Sequence, residues 1–206
     1  MEKSKNKSLR AWEIAALMAL SLALCAGTWA QSRQQSISSA LVRLHVIAVS
    51  DAAEEQEIKL EVRDAVLAYL TPALENAENQ QQARQIITEN LEGIARAAGS
   101  AAQGRQVSVT LSRESYPTRE YEGFTLPAGR YESLRVILGE GEGKNWWCVA
   151  FPTLCVPATS EGFEDVAAGA GFPDRLNEAL KDQESYSIRF FLLDCMGRVE
   201  NFFHRG

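Results

Sequence analysis

The segment LPAGRYESLRVILGEGEGKNWWCVAFPTLC, residues 126–155, contains the strongest structural signals in the chain. Apolar and polar side chains alternate along residues 132–138, and this period of two predicts a β-strand. Residues 145–151 are aromatic and apolar and predict a second strand. The glycines of the intervening segment 139–143 allow the positive backbone angles of a turn. We therefore expect the two strands to form a hairpin.

The segments on either side extend this pattern into an α+β fold. Residues 41–49 are apolar on both faces apart from Arg43 and His45, which is typical of a central buried strand. The other predicted elements are helices at 53–70, 78–98 (ending at Gly99) and 173–181, strands at 105–113 and 185–193, an aromatic-rich loop at 114–129, and a glycine- and alanine-rich segment at 157–171. We expect a single mixed sheet with helices packed on it, preceded by an N-terminal helix.

The first thirty residues combine a basic head with an apolar run. Four basic residues precede seventeen uncharged ones, residues 14–30. This pattern predicts an export signal, either cleaved after the small-x-small sequence 28–30 or retained as a membrane anchor. We assign residues 1–30 to this segment, 31–40 to a polar tether and 41–206 to the domain. Because the basic head stays on the cytoplasmic side, the domain is expected outside the cytoplasm.

The net charge of the domain excludes some classes of binding partner. Without residues 1–30, 17 basic residues face 25 acidic ones, a formal net charge of −8. Nucleic acid and anionic lipid would repel such a domain, so we predict no nucleic-acid partner. Membrane contact is expected only through the N-terminal segment, if that segment is not cleaved.

Three cysteines lie beyond the N-terminal segment: Cys148, Cys155 and Cys195. Outside the cytoplasm at least one pair is expected to be oxidised. A Cys148–Cys155 bond would close a short loop, whereas a Cys155–Cys195 bond would tie the predicted hairpin to the last strand. The spacing of the cysteines in the sequence does not distinguish between these two pairings.

Motifs for catalysis, metal binding and nucleotide binding are lacking. The sequence GEGEGK at residues 139–144 lacks the spacing of a phosphate loop, and Glu140 with Glu142 supplies too few ligands for calcium. We predict no metal, no cofactor and no enzymatic activity. One polar group is predicted, either a structural ion-pair network or a hydrolase site, and its members are Arg43, His45, Asp51, Arg63 and Asp64.

Several separated motifs carry a resemblance to a known family. They are RLHVIA at 43–48, SD at 50–51, KLEVRD at 59–64, LPAG at 126–129 and NWWC to FPTLC at 145–155. Together they resemble the stage II sporulation protein R family over residues 41–155. The sequence departs from the family pattern at Val49, where an asparagine is expected, and at Ala150, where a larger apolar residue is expected.

The resemblance implies a signalling protein made in the forespore of an endospore-forming bacterium and exported into the space between the two membranes. There the family acts on a membrane-embedded aspartic protease of the mother cell, which matures the precursor of the early mother-cell sigma factor. The expected contact residues are Trp146, Trp147, Phe151 and Pro152, flanked by Tyr121 and Phe124. The alternatives are an exported hydrolase using the His45, Asp51 and Arg63 group, or a cell-wall-binding protein that stacks sugars on Trp147.

Overall fold

The computed structural model describes residues 11–121 and 124–152. Its elements in chain order are α1 (Ala11–Ser38), β1 (Val42–Ile47), α2 (Ala53–Leu74), α3 (Gln80–Glu89), α4 (Leu91–Ala101), β2 (Val107–Tyr116), β3 (Arg119–Tyr121), β4 (Phe124–Leu126), β5 (Gly129–Leu138) and β6 (Asn145–Phe151). Helices and one mixed four-stranded sheet confirm the predicted α+β class. The elements predicted after residue 156 lie outside the described residues.

The central strand of the sheet is β1, as its apolar sequence predicted. The strand order is β2-β5-β1-β6, with β1 parallel to β5 and antiparallel to β6. Val42, Leu44 and Val46 point from β1 into the core, where they pack with buried side chains of α2, α3 and α4. The intervening residues of β1 therefore face the other side of the sheet.

The predicted hairpin between β5 and β6 is wrong, because β1 lies between these two strands. The glycine-rich loop instead crosses the end of β1, where Gly143 donates its N–H to the Ala48 carbonyl at 2.9 Å. Positive φ angles at Gly139 (54°) and Gly141 (69°) allow this crossing. A strand that is apolar on both faces lies inside a sheet, with a neighbouring strand on each edge. For β1 these neighbours are β5 and β6.

The helices differ from the prediction at their ends. Helix α2 runs through Pro72 to Leu74, because Leu70 and Leu74 are held in the core. The helix predicted at 78–98 is broken at Asn90, whose side-chain amide and backbone N–H both donate to the Ile86 carbonyl. Gly99 lies within α4 instead of ending it.

Strand β2 extends further than predicted. It runs from Val107 to Tyr116 and pairs antiparallel with β5 along its whole length. The segment predicted as an irregular loop also contains the two short antiparallel strands β3 and β4. Residues at the C-terminal end of β2, including Glu114, therefore belong to the sheet.

The predicted tether, residues 31–40, is helical as far as Ser38 and forms the last part of α1. Ile37 in its final turn is buried, and the Gln80 side chain donates to the carbonyls of Ser38 and Leu41. This helix is long and apolar enough to cross a membrane. Its C-terminal end is thus joined to the domain by packing and hydrogen bonds.

Candidate functional site

The face of the sheet opposite α2, α3 and α4, here called the polar face, carries a cluster of polar and aromatic side chains. Strand register places His45 of β1 directly beside Arg135 of β5 and Trp147 of β6. Strand β2 contributes Glu114, which lies opposite Tyr131 of β5. All four strands therefore supply residues to this cluster.

His45 lies at the centre of the cluster. Its Nδ1 is 3.2 Å from Glu114 Oε2, and its Nε2 is 2.8 Å from Asn145 Oδ1. The Glu114 carboxylate also pairs with Arg135 Nε at 3.3 Å and accepts a hydrogen bond from the Tyr116 hydroxyl. The His45 and Glu114 side chains are only 12% and 17% exposed. The network therefore links β1, β2, β5 and β6 through polar contacts that range from part-buried to exposed.

The surroundings of Glu114 keep its carboxylate charged. Burial alone would raise its pKa, but hydrogen bonds from His45 and Ser133, with electrostatic attraction from His45 and Arg135, hold the pKa below its ordinary value. Burial raises the pKa of Tyr116 well above its ordinary value, and the nearby Glu114 charge acts in the same direction. Tyr116 thus remains a neutral hydrogen-bond donor.

Arg43 lies beneath this network and is fully buried. Its guanidinium carbon is 3.9 Å from the centre of the Tyr116 ring and 5.2 Å from that of Tyr131. The Tyr131 hydroxyl donates to the Pro127 carbonyl at 2.6 Å. These contacts are cation–π and aromatic packing that support the polar face from below.

The two consecutive tryptophans of β6 lie on opposite faces of the sheet, as the period of two predicted. Trp147 is on the polar face, 5.6 Å from His45 between ring centres, with the guanidinium of Arg119 stacked 3.9 Å over its ring. Trp146 is on the helix side, packed against the core, with Arg63 of α2 at 4.5 Å over its ring.

The structure separates the predicted contact residues. Phe151 and Pro152 are buried, because the end of β6 packs into the core beneath the helices, so they present no surface to a partner. Trp146 and Trp147 are both half-buried, Trp146 on the helix side and Trp147 on the polar face. Tyr121 and Phe124 belong to β3 and β4, but their side chains lie outside what the structure describes.

The predicted polar group is likewise divided by the sheet. Arg43 and His45 face the polar side, whereas Arg63 and Asp64 form an ion pair on α2, with Arg63 Nη2 and Asp64 Oδ1 2.7 Å apart. Asp51 is exposed in the loop after β1. The division follows from alternation in β1, since its core-facing residues contact α2 and the intervening residues point away.

Sequence reasoning missed the residues that surround His45 and Trp147, namely Glu114, Tyr116, Arg119, Arg135 and Asn145. The apolar alternation of Val107, Val109 and Leu111 ends at Leu111, because Arg113 and Ser115 are polar, whereas strand pairing continues to Tyr116. Asn145 stands within the NWWC motif. That these residues meet around His45 and Trp147 depends on strand order, which local patterns do not reveal.

The cysteines are consistent with an oxidising compartment. Cys148 is disulfide-bonded and buried, and Cys25 is free and exposed on α1. Cys155 and Cys195 lie outside the described residues, so the pairing stays a prediction. Within residues 11–121 and 124–152, no three histidine, cysteine, aspartate or glutamate side chains are grouped to hold a metal ion.

Fold and site together define an α+β domain attached to an apolar N-terminal helix, with a network of charged and aromatic residues on one sheet face. The stage II sporulation protein R family matches residues 38–161, so the chain belongs to this family. It is similar to "Stage II sporulation protein R" of Bacillus subtilis (strain 168), with 34% identity over 147 residues that cover 69% of this chain. The chain spans about 59% of the length of that relative. No solved structure matches it.

Proposed function

We propose that the chain is an exported sporulation signal that binds a membrane-embedded aspartic protease of the mother cell and activates it. The activated protease then matures the precursor of the early mother-cell sigma factor. Family membership supports a role in sporulation signalling, and the protease and its substrate are the proposed partners. The chain acts as a binding protein in this account, with no catalytic step of its own.

Helix α1 supports a location at or across a membrane. Trp12 and Trp29 are exposed near the two ends of its apolar run, and 17 helical residues at 1.5 Å each separate them by about 25 Å. This is close to the hydrocarbon thickness of a bilayer, about 30 Å, whose interfaces favour tryptophan. We propose that the domain lies between the forespore and mother-cell membranes.

The observation that carries the proposal is the arrangement around Trp147. Its indole packs beside His45 and under Arg119, within a network that fixes the surrounding side chains. Tryptophan and arginine are the residues that most often dominate binding energy at protein interfaces. Because the network is already formed, little side-chain entropy is lost when a partner binds.

Activation follows if the domain binds the active state of the protease more tightly than the inactive state. A ligand shifts an equilibrium between two states only by its difference in affinity for them. A rigid surface formed by Trp147 and the Arg119 guanidinium stacked on it suits this task, because its fit depends on the shape of the receptor.

The two alternatives have weaker support. Both ring nitrogens of His45 are held by Glu114 and Asn145, so neither is free to act as a general base in this arrangement. Asp51, the partner expected for a hydrolase, is on the loop after β1 and outside this network. For a wall-binding protein, the guanidinium of Arg119 covers the ring face of Trp147 on which a sugar would stack.

The test is precursor cleavage in cells that express the full chain, the protease and the sigma-factor precursor. A Trp147→Ala substitution should reduce cleavage at least about tenfold, the effect of losing a contact worth about 2 kcal/mol. Arg96→Ala, at an exposed position on α4, is the control. Export and folding are checked by membrane fractionation and limited proteolysis. Normal cleavage by an exported, folded Trp147→Ala chain would refute the proposed contact.

A further inference from the structure

The two tryptophans of β6 are each covered by one arginine, on opposite sides of the sheet. Arg63 lies over Trp146 at 4.5 Å, and Arg119 lies over Trp147 at 3.9 Å. A guanidinium stacked on an aromatic ring keeps its N–H groups in its own plane, where they can donate to a carboxylate. The chain thus contains the same stacked pair twice.

The pair on the helix side already holds a carboxylate. Asp64 Oδ1 is 2.7 Å from both Nε and Nη2 of Arg63. The carboxylate comes from the neighbouring residue of α2, so Arg63 is satisfied within the domain. This internal example shows that a guanidinium stacked on a tryptophan ring binds a carboxylate.

The pair on the polar face has no such group in the part of the chain that the structure describes. The side chain of Glu120, the residue after Arg119, is not described. Among the side chains that the structure describes in residues 11–121 and 124–152, no ion pair joins a carboxylate to Arg119, and its buried Nε has no hydrogen-bond acceptor. Leaving a buried charged donor without an acceptor is costly. In this described part of the chain, Arg119 is therefore preorganised by Trp147 without a carboxylate like the one that Arg63 holds.

We infer that Arg119 and Trp147 form a receptor for an aspartate or glutamate side chain of the partner protein. The inference rests on the proposed function for the identity of that partner and deepens it by naming the group bound. Because the domain beyond residue 30 is strongly acidic, an acidic segment of the partner protein is repelled by most of the surface of the domain. Local attraction at Arg119 then fixes where such a segment docks.

The experiment is a peptide titration followed by NMR of the ¹⁵N-labelled full chain in detergent micelles. The probes are acetyl-Gly-Asp-Gly-amide and the same peptide with asparagine. We expect the aspartate peptide to shift the Arg119 Nε–H and Trp147 indole N–H resonances. The asparagine peptide should bind at least about tenfold more weakly, because a charge-assisted hydrogen bond contributes about 1.5–3 kcal/mol.

Two variants distinguish a loss of binding caused by Arg119 itself from a loss caused by a change in the fold. Arg119→Lys keeps the charge but loses the planar pair of donors, so it should weaken aspartate-peptide binding at least about tenfold. Arg63→Lys, the matched change over Trp146, should leave binding unchanged because Asp64 already occupies that pair. Equal binding of the two peptides by the wild-type chain, or unchanged binding by Arg119→Lys, would overturn the inference. Tighter binding of inorganic phosphate than of the aspartate peptide would also overturn it.

A negative titration would refute the carboxylate receptor but not the proposed function, because the titration contains no protease. Normal precursor cleavage with Trp147→Ala refutes Trp147 as the contact, and equal cleavage with and without the chain refutes the proposed function, whatever the titration shows.

Discussion

His45 connects three strands through a single side chain. It reaches Glu114 on β2 and Asn145 on β6 from its own position on β1. Buried polar groups are costly unless they are paired, so each member of this network holds the others in place. The consequence for Trp147 is a fixed position beside the His45 ring.

The charge of Glu114 gives the network a dependence on pH. Its pKa is below the ordinary value of 4.5 in the folded protein, so its stabilisation is complete above that value and is lost as the pH falls through the lower, folded-state pKa. We predict that Glu114→Gln lowers the free energy of unfolding most above pH 4.5 and progressively less toward pH 3. Urea denaturation of both chains across this range measures the difference.

Glu92→Gln, a change of the same type at a 94% exposed side chain on α4, serves as the control for Glu114→Gln. It should show little dependence on pH. A difference between wild type and Glu114→Gln that stays constant from pH 7 to pH 3 would show that the charge of Glu114 does not stabilise the fold.

Among the elements, β1 determines the topology. It receives β5 on one edge and β6 on the other, and the glycine-rich loop passes over its end. At this crossing a Cβ added to Gly143 would lie 2.6 Å from the Ser50 carbonyl carbon and 2.9 Å from Ala48 Cβ. The crossing therefore requires a residue without a side chain.

We predict that Gly143→Ala lowers the free energy of unfolding by about 1–3 kcal/mol, because backbone atoms must move to admit the methyl group. Gly99→Ala is the matched change. Gly99 lies inside α4 with no atom within 4 Å of the added Cβ, so the same substitution should stabilise the protein by about 0.5–1 kcal/mol. Thermal unfolding followed by circular dichroism compares them. Equal effects of the two changes would contradict the loop crossing.

Local sequence predicted elements better than it predicted their neighbours. The apolar run at residues 41–49 identified a central strand, and alternation placed Trp146 and Trp147 on opposite faces. The hairpin prediction failed because glycines permit a tight turn and a crossing loop equally well. Which of the two forms depends on β1, about a hundred residues earlier in the chain. His45 was identified as a candidate from its own strand. Its partners Glu114 and Asn145 were not identified, because contacts between strands depend on the strand order.

In the whole molecule, α1 and the domain are joined by contacts as well as by the chain. Ile37 is buried, and the Gln80 side chain donates to the carbonyls of Ser38, the last residue of α1, and of Leu41. With α1 in a membrane, the domain would be held close to the bilayer, with the start of β1 at the membrane-proximal end.

Photo-crosslinking tests most directly whether the polar face contacts the protease. A benzophenone amino acid is placed at Ser112, which is exposed on β2 two residues before Glu114 and on the same face, or at Glu92 on the outer side of α4. Each full chain is expressed with the protease and illuminated. We predict a covalent adduct with the protease from position 112 and none from position 92. An adduct from position 92 alone, with both chains exported and folded, would contradict the polar face as the site of contact.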